Sequence, residues 1–95
     1  MTTTRSRPAS YADLVAAVED ARRALRRGPV EIGALRRFLG SAVPRSALDE
    51  CLLALERDGG VTLIPHACPE RLDLLERQDC VQSPRGLLYF AVWHD

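Results

Sequence analysis

Three cysteines and two histidines are the side chains with the widest chemical reach in this 95-residue sequence. His66, Cys68, Cys80 and His94 carry the nitrogen and sulfur donors of a Cys2His2 zinc site, which needs four such ligands in tetrahedral reach. No CxxC or HxxxH spacing brings any two of them together, so no metal site is expected. A nucleophilic cysteine needs a positioned base and an orienting group, and nothing in the sequence couples these residues to such partners. Cys51 falls on the inward stripe of a helix and reads as a small core residue. With no cofactor motif and no small-molecule substrate evident, the chain reads as non-catalytic. An odd number of cysteines behind an N-terminus without an apolar signal core also argues against a disulfide framework.

Arginine is the other chemical resource. Thirteen Arg balance thirteen Asp and Glu, and there is neither Lys nor Asn, a usage that reads as that of a GC-rich bacterial genome. The balance hides a division, because residues 1–48 hold nine Arg against four acids and residues 49–95 hold four Arg against nine. Such asymmetry marks either an anion-binding face or two faces that attract each other, within one chain or between copies. On amphipathic helices, exposed Arg with acidic neighbours three or four residues away, such as Glu19 beside Arg22 and Arg23, also form ordinary solvated faces. The apolar runs are far shorter than the roughly 18 residues that a membrane span requires, so a soluble, cytoplasmic protein is expected.

The elements that must position these groups fit one domain, residues 10–95, behind a polar tail at 1–9 expected to be flexible. Ser10 with Asp13 predicts an N-cap, and Leu14, Val18, Ala21 and Leu25, widened by Tyr11, Val15 and Ala17, predict a helix from Tyr11 to a stop at Gly28-Pro29. Val30 to Ile32 predicts a short strand. Gly33 is then expected to cap a helix over Ala34 to Leu39, with Leu35, Phe38 and Leu39 inward and Arg36 and Arg37 outward, closed by Gly40. Pro44 opens a third helix to Arg57 on the stripe Leu48, Cys51, Leu52 and Leu55. Asp58-Gly59-Gly60 predicts a turn into a strand over Val61 to Pro65. In the segment 66–86, Pro69 to Arg77 predicts a two-turn helix with Leu72 and Leu75 on one side, and Cys80-Val81-Gln82 an extended stretch. The last strand, Leu87 to Trp93, is apolar at both parities, so the face turned from the core needs a cover of its own.

This order, with the phrase LDECLLALERDGGVTLI, resembles a winged-helix (winged helix-turn-helix) domain of bacterial type, over roughly residues 10–65 and 87–93. The resemblance implies an α+β fold: a three-helix core, a small antiparallel wing sheet, and residues 66–86 as a helical insertion between the wing strands. It offers two functions. In DNA-binding members the second helix of the helix-turn-helix enters the major groove, which would make Arg45, Ser46 and Arg57 base or backbone contacts and bring Arg36 and Arg37 to phosphates. Asp49 and Glu50, however, set two negative charges where the duplex is densely negative, and the segment between the wing strands carries more acid than base. The other function is protein docking or self-association, in a homodimer or a bacterial assembly, through Leu53, Asp49, Glu50, Tyr89 and Trp93. That reading suits zero net charge and a two-sided apolar strand, and it is the one preferred on sequence.

Overall fold

The computed structural model describes residues 10–25 and 28–94. The expectations attached to residues 1–9 and to Arg26 and Arg27 lie outside the described residues. Four α-helices and a small antiparallel sheet make the fold α+β: α1 (Tyr11–Leu25), β1 (Val30–Glu31), α2 (Ile32–Leu39), α3 (Arg45–Arg57), β2 (Val61–Pro65), α4 (Leu74–Asp79), β3 (Val81–Ser83) and β4 (Gly86–Trp93). No helix among the described residues is long and apolar enough to cross a membrane.

α1 starts where Ser10 Oγ accepts the Asp13 N–H at 3.2 Å, and it buries Leu14, Val18 and Ala21. Tyr11, expected to widen this buried stripe, is instead 53% exposed. The small strand stops at Glu31, one residue short of expectation. Ile32 opens α2 and is fully buried, so the helix begins two residues before the predicted Ala34, with Glu31 and not Gly33 in the capping position. Helix and strand compete for Ile32, and its full burial in the core decides for the helix. Gly40, at φ 65°, ends α2 by donating to the Arg36 carbonyl, and a 3-10 turn at Gly40–Ala42 leads to α3. Pro44 sits just outside α3 in an extended conformation, where its carbonyl accepts the Leu48 N–H.

Leu35, Leu39, Leu48, Cys51 and Leu52 meet Val61, Leu63, Leu88 and Ala91 of the sheet in one core, all at 2% exposure or less. Fully burying each of these leucines contributes about 2 kcal/mol before entropy is counted.

β4 is central, with β1 and β2 on opposite edges. β3 also pairs with β4, and Leu88 faces both Pro65 of β2 and Val81 of β3, so β3 lies end to end with β1. The sheet therefore has four strands, and the segment 66–86 supplies one of them as well as a helix. Ile64 stands opposite Phe90 and Pro65 opposite Leu88, which leaves Tyr89 without a partner on β2. This bulge inverts the alternation, so Leu88 and Ala91, three residues apart, both enter the core. It accounts in part for a strand that is apolar at both parities. On the other face His66 folds back, its ring edge-on to Tyr89 at 4.9 Å and parallel to Phe90 at 6.3 Å.

The helix predicted over Pro69 to Arg77 is a 3-10 turn at Pro69–Arg71 followed by α4, which starts five residues later than expected. The start is a capping box: Asp73 Oδ1 accepts the Glu76 N–H at 2.8 Å and Glu76 Oε1 accepts the Asp73 N–H at 3.2 Å. Leu72 is buried, but Leu75, expected on the same side, is 71% exposed and Leu74 72%. The break at Asp73 rotates the two leucines away from the core.

Candidate functional site

The polar side chains that the sequence singles out converge where α2, the start of α3 and the end of α4 meet. Arg36, expected to face outward, turns into this junction and keeps only 13% of its side chain exposed. Its Nε donates to the Asp79 carbonyl at 2.8 Å and its Nη2 to Asp49 Oδ1 at 2.5 Å, while Nη1 lies 3.5 Å from the Arg45 carbonyl. Arg45 Nη2 donates to the Cys80 carbonyl at 3.2 Å, and Arg37 Nη1 meets Asp79 Oδ2 at 3.4 Å. Arg36 and Arg45 thus hold the carbonyl end of α4, where a helix leaves acceptors without partners inside itself, and Arg37 pairs with the Asp79 carboxylate beside them. Gly33 makes the approach possible: a Cβ there would stand 2.8 Å from Asp79 Oδ2 and 3.2 Å from its Cβ and Cγ. Only glycine admits α4 this close to α2 without a shift.

Part of the charge asymmetry is met here within one chain. Arg36 and Arg37, from the basic half, pair with Asp49 and Asp79, from the acidic half. Arg85, in the turn from β3 to β4, pairs with Glu56 of α3, and Glu56 Oε2 also accepts the Leu63 N–H of β2 at 2.9 Å. That outward amide is thereby removed from the open edge of β2, where Pro65 brings no N–H at all.

Beside the junction lies an open cleft of about 560 Å³, lined by Arg45, Leu74, Arg77, Gln78, Gln82 and Leu87. Arg77 Nε donates to the Leu72 carbonyl at 3.1 Å, which fixes the guanidinium and leaves its two terminal nitrogens toward other partners. Sequence reading missed Arg77, Gln78, Gln82, Leu74 and Leu87 as a group. Their meeting depends on α4 packing on α2 and β3 pairing with β4, which no local pattern encodes.

The other sequence-named residues scatter. Asp49 is held by Arg36, whereas Glu50, Ser46 and Arg57 are exposed on α3. Leu53 packs against the core. Trp93 lies against the core as well, with the Arg22 guanidinium 5.7 Å from its ring. Tyr89 sits at the bulge, its phenol pKa pushed up by burial and then by the Glu31 and Glu76 carboxylates. His66 and His94 take different partners: His66 Nδ1 accepts the Cys68 N–H at 2.9 Å, and His94 Nε2 lies 2.6 Å from Thr62 Oγ1. Among the described residues no three or more His, Cys, Asp and Glu side chains gather as a metal site requires. Burial raises the pKa of Cys51 and of Cys80, where Asp79 adds to it and Arg36 and Arg45 oppose it, so both thiols are held protonated.

No family model, no curated protein and no solved structure matches this chain.

Proposed function

We propose that this chain is a non-catalytic docking module of winged-helix type that binds a protein partner through the start of α3 and the adjoining α4 arm. The order α1, β1, α2, tight turn, α3, β2 and β4 is compatible with that fold. The observation that carries the function is the engagement of Arg36, Arg37 and Arg45 by Asp79, Cys80 and Asp49. Of the cations a DNA reader would turn toward phosphate, Arg36 is taken up by Asp49 and the end of α4, Arg37 is paired with Asp79, and Arg45 is drawn toward Cys80 by one N–H, beside the end of α3 that would enter a groove. Exposed Leu74 and Leu75 on α4 suit burial by a protein better than contact with a polyanion.

A small DNA-binding regulator is the second reading, favoured by the exposure of Arg45, Ser46 and Arg57 on α3. Titrating the chain into a labelled random-sequence duplex at about 50 and about 200 mM salt separates the two. Docking predicts no binding that collapses between these salts. Tight duplex binding that weakens by orders of magnitude would overturn it. Light scattering over a concentration series then tells whether the partner is a second copy, which would make the mass rise, or another protein, which would leave it constant.

A further inference from the structure

The cleft between α3, α4, β3 and β4 holds two guanidiniums that pair with no carboxylate among the described residues. The nearby acids are committed elsewhere: Asp49 to Arg36, Asp79 to Arg37, and Asp73 and Glu76 to each other's backbone in the α4 capping box. Arg45 and Arg77 each give one N–H to a backbone carbonyl, Cys80 and Leu72 respectively, so both are positioned without being discharged. Arg77, held by its Nε, keeps both terminal nitrogens open, and Arg45, held by Nη2, keeps Nη1 and Nε open, so each can still meet an oxygen of a carboxylate. Gln78 and Gln82 add amide donors and acceptors to the same wall, and Leu74 and Leu87 add apolar surface at its borders. Leu74 is 72% exposed.

We propose that this cleft receives an acidic, leucine-bearing segment of the partner protein, with a partner carboxylate on Arg45 and Arg77 and an apolar side chain against Leu74 and Leu87. The inference rests on the docking reading and adds to it the place and the chemistry of recognition. Charge complementarity selects the occupant. Two like charges in one depression attract a carboxylate strongly, while the apolar borders and the Asp and Glu of α3 and α4 disfavour a continuous phosphate backbone.

The test uses the full chain and a fluorescein-labelled peptide of alternating Glu and Leu, with a Gln-for-Glu peptide as control, read by anisotropy. The Glu peptide should bind at least about tenfold more tightly than the control, and R45Q/R77Q should remove that advantage. L74E, at an exposed position that folding does not use, should weaken the Glu peptide by a similar factor by placing a carboxylate in the cleft. R23Q, on the exposed face of α1, should change nothing. Circular dichroism and thermal melting establish that each variant is folded. Equal binding of the two peptides, or unchanged binding by both R45Q/R77Q and L74E, overturns the proposal. If that happens while the duplex titration stays flat, the cleft assignment falls and docking stands. If duplex binds in a steeply salt-dependent way and displaces the peptide, both fall.

Discussion

Arg36 decides more at the residue scale than any other side chain. Its guanidinium bonds one acid and three backbone carbonyls while mostly withdrawn from water, and truncation would strand Asp49 and the last carbonyls of α4. R36Q should lower unfolding free energy by about 2 kcal/mol, and R36K should recover only part of it because an ammonium lacks the fork. Chemical denaturation of R36Q, D49N and the double variant gives the coupling, expected at about 1 kcal/mol; purely additive losses would mean that the pair contributes nothing. The cysteines carry a pH signature. Burial raises the Cys51 and Cys80 pKa values, so the folded state holds their protons more firmly than the unfolded chain does. Stability is then fully present below the ordinary thiol value of about 8.5 and declines as pH rises past it, with the raised Tyr11 and Tyr89 adding in the same direction above about pH 10. Melting between pH 8 and 10 should show that decline in the native chain and a shallower one in C51A/C80A. The inward place of Cys51 was legible from the stripe Leu48, Cys51, Leu52. The inward turn of Arg36 was not, because its acceptors are chiefly backbone carbonyls some forty residues away and backbone carries no sequence label.

At the element scale α4 is the informative piece. Its start is written in the sequence as Asp73-Leu-Leu-Glu76, a capping pattern that outweighs Pro69, whose own turn ends at Arg71. D73A should cost about 1 kcal/mol and concentrate that loss in α4, seen as faster hydrogen exchange at its amides before any change in α1. The two neighbouring leucine types should separate cleanly. L72A, at 6% exposure, should destabilise by about 2–3 kcal/mol, while L75A, at 71%, should stay within about 0.5 kcal/mol by thermal melting. The helices α1, α2 and α3 were legible within a residue or two at most ends because periodicity and glycine stops agree. The boundary at Ile32 was misplaced because Val30-Glu31-Ile32 alternates like a strand, and only packing reveals that Ile32 belongs to α2. Gly33, expected as a cap, is instead the gap through which α4 docks.

For the whole molecule, the class and the order of elements were readable, but the sheet was not. A two-stranded hairpin with an insertion was expected, and β4 in fact holds β1, β2 and β3 at once. The extended stretch expected at Cys80 to Gln82 is β3, Val81–Ser83, but its pairing with β4 was not readable, because strand pairing across such separations is set by tertiary packing. Removing residues 87–95 should therefore abolish cooperative unfolding altogether and leave only partial helical signal by circular dichroism. Among the described residues β1, β2 and β3 each pair with β4 alone, so β4 is the scaffold that all three share. An occupant that grips Gln82 and Leu87 at one end of β4 should slow solvent exchange in β1 at the other. Val30 and Ala91, neighbours across about sixty residues of chain, would then act as a remote gauge of whether the cleft is filled.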